Sequence, residues 1–278
     1  MKISAIIVLY NPSEILSKCI EAIINQVDKV FLVDNSNYRQ DGFTDNSKIT
    51  YVPLNENRGI ANALNVGFEL SIKWGADWVI CLDQDSIVPS DIIVHFNSIV
   101  ENDESIGMVG PNYKKNEDDI VRECDSVENV DSIITSGSFV RVNAYVSVGG
   151  FKDLLFIDSV DTEFSWNLIT NKWRILQVNS VVMEHNLGHD AYDIKIFGHR
   201  LITVTNHNRI RCYYIARNSL YVGHLYKSKL PKYAKPYCNK WLKHLIKVIL
   251  FEEDKIMKCL SIYNGVKDYC NNRMGKVI

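Results

Sequence analysis

Two aspartates one residue apart, Asp83 and Asp85 in LDQDS, follow the apolar run Trp78–Leu82. Carboxylates at i and i+2 beyond a buried strand can both reach one hard divalent cation, which prefers oxygen ligands and often bridges carboxylates to phosphates. The same residues could form a polar turn with Asp85 or Ser86 starting a cap, but the strand-end position favours the metal reading. Asp34, in VDNSN, ends a second apolar run, Lys29–Val33. It can accept a hydrogen bond from a pyrimidine N–H or a ribose hydroxyl, or it can close an Asx-turn.

Three further segments carry reactive types. In NENRGIANALNVG, Asn57, Arg58 and Gly59 stand just ahead of an amphipathic stretch. A cation, a flexible glycine and free N–H groups at a helix start suit a diphosphate, although an ordinary helix N-terminus with a solvated arginine would look the same. Asn62 and Asn65 are poor helix formers, which favours a functional role. FIDSVDTEFSW supplies Asp158, Asp161 and Glu163. Asp161 and Glu163 cannot share one helical face, so one acting as general base while another orients a hydroxyl fits better than a paired dyad. Acids complementing a helix dipole are the plain alternative. MEHNLGH places His185 after a strand and His189 four residues on. Gly188 and the missing H-E-x-x-H order exclude a metalloprotease helix, leaving His185 as a lone metal ligand or a structural histidine.

These residues need elements to position them. Ile3–Leu9, Lys29–Val33, Ile49–Val52 and Trp78–Leu82 read as strands, with helices over Ile15–Ile24 and residues 59–74 between them. That rhythm predicts an α/β fold, a Rossmann-like, mostly parallel sheet flanked by helices. Ligands in such sheets bind beyond the carboxyl ends of the strands, where Asn11, Asp34, Asp83 and Asp85 fall. Residues 101–130 read as polar surface loops and a hairpin. Ile133–Val142 and Ile175–Met183 read as strands, and Asp161–Ile169 as a helix. Beyond residue 195 the pattern is helical, over Ile210–Tyr221, Asn239–Phe251 and Lys255–Tyr269.

Composition bounds the class. The 278 residues are 46% hydrophobic and 23% charged, which excludes collagen-like, low-complexity and disordered chains. No run approaches the roughly 20 apolar residues a membrane helix needs, and the N-terminal MKISAIIVLYN reads as a strand rather than a signal peptide. The formal charge of −2 conceals a split: residues 1–194 sum to −15 and residues 195–278 to +13. We therefore expect a catalytic domain over 1–194 and a basic helical region over 195–278 packed on it. Seven scattered cysteines without a C-x-x-C pair point to free thiols in a reducing, cytoplasmic setting.

The ordered set VLYNP, VDNS, NRGIANALNVG, LDQDS, SGSFV, then D-T-E and EH resembles family 2 inverting glycosyltransferases of the GT-A fold. Among them it is most similar to bacterial rhamnosyltransferases of surface-polysaccharide synthesis, chiefly through LDQDS, NRGIANALN and YYIARN. The resemblance runs from Ile3 to about Asn218. It implies a nucleotide-sugar donor, dTDP-L-rhamnose, and a lipid-linked saccharide acceptor. Asp34 would contact the base near the turn begun by Asn11, and Arg58 and Asn62 would line the donor pocket. Asp83 and Asp85 would hold Mg²⁺ or Mn²⁺ with His185 as a further ligand. Asp161 matches the family's base and Glu163 completes its D-x-E, followed by the aromatics Phe164 and Trp166. Relatives often carry an acid just before the base, where this chain has Val160, so Asp158 and Glu163 stand as alternatives.

Two other functions are weaker. A nucleotidyltransferase would open with a Gly-rich basic loop, where this chain has YNPSEI. A non-catalytic subunit of a polysaccharide assembly complex has no need of Asp83, Asp85, Asp161 and His185 together. The basic tail, WLKHLIKVILFEEDKIMKCL, suits an amphipathic helix on anionic lipid at the inner membrane face, or a helix packed as core. It lacks any nucleic-acid-binding module.

Overall fold

The structure, a computed structural model, describes residues 1–40, 46–114, 126–184, 192–196 and 199–277. The chain forms two units, Met1–Phe156 with Val160–His185, and Ile157–Ser159 with Asn186–Ile278.

The first unit is built on an eight-stranded sheet. Its opening strands β1 (Ile3–Leu9), β2 (Lys29–Asp34), β3 (Ile49–Pro53) and β4 (Trp78–Asp83) alternate with helices α1 (Ile15–Ile24) and α2 (Ile60–Trp74). All seven residues of β1 are buried, as expected for a strand with parallel neighbours on both sides and helices over both faces. Then come α3 (Ile92–Val100), β5 (Ile106–Lys114), β6 (Val127–Asn129), β7 (Ser138–Arg141), α4 (Val142–Val148), a 3₁₀ turn (Asp153–Leu155), α5 (Val160–Thr170) and β8 (Arg174–Glu184). The strand order is β3-β2-β1-β4-β7-β5-β8-β6, with β7 and β6 antiparallel to their neighbours. Helix α2 lies against β1, where a Cβ on Gly67 would come within 2.6 Å of the Ile6 side chain. On its other side Phe68 stacks on Tyr145 at 3.9 Å, and Phe151 packs on Phe164 at 4.2 Å, so the aromatic after D-T-E is core.

Residues 101–130, expected as polar surface loops and a hairpin, contribute a sheet strand with Ile106, Met108 and Val109 buried. Gly107, Gly110 and Pro111 disguise it. The glycines admit Trp173 and Ile133, which would stand 2.9 and 2.4 Å from an added Cβ. Pro111 sits at a shift in register, where its missing N–H costs no ladder bond. The strand expected over Ile133–Val142 is confined to Ser138–Arg141.

The second unit contains the antiparallel pair β9 (Tyr192–Ile196) and β10 (His199–Val204), a hairpin where only helix was expected. Helices α6 (Arg209–Tyr226), α7 (Pro231–Cys238), α8 (Lys240–Phe251) and α9 (Lys255–Cys270) follow. Cys212 and Ala216 of α6 meet Val248 of α8 and Ile262 of α9 in a small core. Beside it Lys258 and Glu252 form a buried ion pair at 2.9 Å, completed by Asn206. The six described cysteines are all free.

Candidate active site

Parallel pairing brings the strand-end acids to one edge. In register, Leu9 lies beside Asp34 and Val8 beside Asp83, so the turns after β1, β2 and β4 open on the same side of the sheet. Asp34 is buried. Its Oδ1 accepts from the Ser36 N–H at 2.9 Å, an Asx-turn, and its Oδ2 accepts from the Tyr51 hydroxyl at 2.5 Å. Burial, then the bond to Asp34, pushes the Tyr51 hydroxyl up to about 12, so it stays a proton donor to the carboxylate. Asn11, at a positive φ of 46°, donates its N–H to Ser36 Oγ at 2.7 Å and so joins the same cluster.

The D-Q-D segment is tied in by its middle residue. Gln84 accepts from the Tyr10 N–H at 2.8 Å and donates back to the Tyr10 carbonyl at 3.2 Å. The Asp83 N–H donates to Ser136 Oγ at 3.3 Å, leaving Asp83 half-buried and Asp85 exposed. Ser136, in the SGSFV segment, is hydrogen-bonded to Ser86 and accepts on its carbonyl from the Tyr113 hydroxyl at 2.8 Å. Burial, followed by the charges of Asp83 and Asp161, raises the Tyr113 hydroxyl well above the ordinary tyrosine range. Tyr113 therefore lies within the field of both the D-x-D and the first turn of α5. Asp83 and Asp85 also help raise the Cys19 thiol to about 12, after burial.

Two oxygen donors at a sheet edge, one exposed, fit a hard cation that fills its remaining positions with water and phosphate oxygens. Among the described residues no third His, Cys, Asp or Glu joins them. His185 lies outside the described residues.

The Asn57–Asn62 segment does something other than expected. The N–H groups of Arg58, Gly59 and Ile60 donate to Asn35 Oδ1, Asn57 Oδ1 and the Phe156 carbonyl, so none of the three is free for a diphosphate. Asn62 donates to Asp153 at 2.9 Å, and Asn65 donates to Asp153 and to the Phe151 carbonyl. Both asparagines thus fasten α2 to the 3₁₀ turn. Arg58 reaches Glu56 at 2.9 Å and keeps 45% of its side chain exposed.

The three acids of the 156–166 segment separate cleanly. Asp158 is held by Arg211 of α6 at 2.6 and 3.3 Å. Glu163 is fully buried, with Lys152 at 3.6 Å. Asp161 is partly exposed in the first turn of α5, its Oδ1 accepting from the Thr162 N–H at 2.8 Å. Val160 is buried, which explains the apolar residue at that position. The loop ahead of α5 is unusual: Phe156, Asp158 and Ser159 all have φ between 62 and 65°. Asn218 donates to the Ile157 and Asp158 carbonyls at 2.7 and 3.0 Å, and Tyr237 donates to Ser159 Oγ at 2.9 Å. Beside the first-unit acids stand Tyr51, Gln84 and Tyr113, of which only Gln84, inside LDQDS, lies in a motif legible in the sequence.

Residues 4–128 match the family described as Glycosyl transferase family 2. The chain is 30% identical over 240 residues to the dTDP-rhamnosyl transferase RfbF of Shigella flexneri, covering 78% of each chain. In three dimensions it resembles Staphylococcus aureus TarS 1-349 in complex with UDP-GlcNAc, with a TM-score of 0.63, 13% identity and coverage of 97% of this chain and 80% of that one. It also resembles the mannosyltransferase PcManGT of Pyrobaculum calidifontis in complex with GDP-Man and Mn²⁺, with a TM-score of 0.62, 13% identity and coverage of 98 and 88%. The sheet order, the strand-end acids and these similarities agree: the chain belongs to glycosyl transferase family 2, with a GT-A fold.

Proposed function

We propose that the protein is an inverting glycosyltransferase that moves L-rhamnose from dTDP-L-rhamnose to a hydroxyl of a lipid-linked saccharide in surface-polysaccharide assembly. The observation that carries the reading is the parallel register of β1, β2 and β4, which gathers Asp34 and Asp83 at one edge of the sheet. The rhamnosyl donor is supported by the similarity to RfbF across most of the chain.

Asp34, held by Ser36 and Tyr51, would receive the nucleobase beside Asn11. Arg58, with its half-exposed guanidinium, would face the diphosphate. Asp83 and Asp85 would hold Mg²⁺ or Mn²⁺, with His185 as a further ligand, and the ion when bound would offset the charge of the diphosphate. Asp161 takes the proton from the acceptor hydroxyl. The acceptor oxygen forms its bond to the anomeric carbon from the face opposite the diphosphate, the carbon–oxygen bond to the diphosphate breaks, and configuration inverts. Asp158 and Glu163, each occupied by a cation, are poorer bases. The six described cysteines, all free, favour a cytoplasmic setting.

A donor panel with Mg²⁺, read by release of dTDP, UDP or GDP, tests the donor: preference for UDP- or GDP-sugars refutes the rhamnosyl assignment. Asp161→Asn tests the base: transfer should be lost while the donor still binds, and full transfer in that variant would remove Asp161 from the mechanism.

A further inference from the structure

Helices α8 and α9 bury one face each and leave the other apolar. On α8, His244 and Val248 point into the unit, while Leu242, Ile246, Ile249 and Leu250 are 43–57% exposed. Those four recur at i, i+4, i+7 and i+8, one continuous stripe. On α9, Lys258, Ile262 and Gly265 are buried, while Ile256, Met257, Leu260 and Tyr263 are 40–83% exposed. A surface helix ordinarily turns charge and amide toward water. Here two consecutive helices turn aliphatic side chains outward, and such contiguous exposure marks an interaction surface.

The charges on that surface have one sign. The exposed charged residues on the two helices are Lys240 and Lys243 on α8 and Lys255 and Lys267 on α9. The acids of the region are turned away or engaged: Glu252 is buried against Lys258, Asp268 accepts from Tyr213, and Asp254 pairs with Arg209. Glu253, in the connecting turn, is the one exposed acid without such a pairing among the described contacts. A second copy of this chain is a poor occupant, because a two-fold interface would set lysine against lysine. Apolar stripes flanked by lysines match a bilayer with anionic headgroups, in which the stripes enter the acyl boundary and the ammonium groups meet phosphate.

We propose that the α8–α9 face docks the protein on the surface of an anionic membrane, lying in the interface without crossing it. No described helix is long and apolar enough to span a bilayer. The docking requires no sugar nucleotide, so it stands or falls separately from the transfer reaction.

Flotation of the full chain with phosphatidylcholine vesicles, with and without phosphatidylglycerol, tests it. The protein should float with the anionic vesicles and about tenfold or more less with neutral ones, since each lysine near the surface is worth about fivefold. Added salt should weaken the binding. Ile246→Asp with Ile256→Asp should abolish flotation. Both positions are at least half exposed, so circular dichroism should be unchanged. Lys243→Glu with Lys267→Glu should erase the preference for anionic vesicles, and this arm decides the matter if the aspartate variant misfolds. Equal binding to both vesicle types, flotation unaffected by the variants, or a concentration-dependent dimer in sedimentation that Ile256→Asp dissolves while vesicles go unbound would each overturn the proposal.

Discussion

Asn218→Ala should damage both stability and turnover, and the size of each effect follows from the loop it holds. Phe156, Asp158 and Ser159 all sit at positive φ without being glycine. Each such residue costs about 1–3 kcal/mol, so the loop stores strain that neighbouring contacts must offset. The buried Asn218 amide supplies two of those contacts, to the Ile157 and Asp158 carbonyls. Removing it orphans two acceptors at roughly 1–2 kcal/mol each, for a total of about 2–4 kcal/mol. For a chain of this size that is a fall in Tm of roughly 4–8 °C. Asn218→Asp keeps the shape but has no donor, so it should do no better. Asp161 follows Ser159 by two residues, so the freed loop no longer fixes where α5 begins. A displacement of about 1 Å of a catalytic group can cost on the order of a hundredfold in rate. The assay pairs thermal denaturation with initial rates of transfer well below Tm, and kcat should fall more than KM rises. A variant within about 0.5 kcal/mol of the parent would show that the loop holds itself. A destabilised variant with full kcat would show that its geometry does not reach the chemistry.

Other outcomes follow from the same geometry. Asp83→Asn and Asp85→Asn should each weaken Mn²⁺ binding, followed by its paramagnetic resonance signal, by at least about tenfold, since even outer-sphere partners of a ligand cost that much; unchanged binding would move the metal elsewhere. Gly59→Ala places a Cβ 2.6 Å from the Phe156 carbonyl at a φ of 89°, and should lower stability by about 2–4 kcal/mol in denaturant melts. Burial, then the positive charges of Arg211 and Lys247 respectively, depresses His207 and His244 from 6.5 to about 4. Their neutral forms are favoured in the fold, so this contribution is full above pH 6.5 and is lost progressively as pH falls toward 4, where the unfolded chain binds the extra protons. His244→Gln should flatten that part of the stability-against-pH curve.

How far the site could be read from sequence depends on whether a residue's signal is local. Strands β1, β2 and β4 are buried runs that stop at a polar residue, so both the strands and the acids at their ends were legible, and parallel register alone then gathers Asp34 and Asp83. The bond made by Asn62 was not legible, because a half-buried polar side chain on a helix signals only that some partner exists. Here the partner is Asp153, 91 residues on in the chain. Strand β5 was hidden by Gly107, Gly110 and Pro111, residues that break isolated strands yet permit close contacts and a register shift inside this one. With the strand went Tyr113, whose importance is purely positional. Nothing about a tyrosine before two lysines announces that its hydroxyl will reach the Ser136 carbonyl beside the Asp83 turn. The alternation of apolar and polar residues in YDIKI and HRLITV is the period-2 signal of the β9–β10 pair. Asp158 is the sharpest case. From sequence it stood as an alternative to Asp161 for the same role, and what sequence could not show is its partner: the guanidinium of Arg211, 53 residues on, which ties Asp158 to α6.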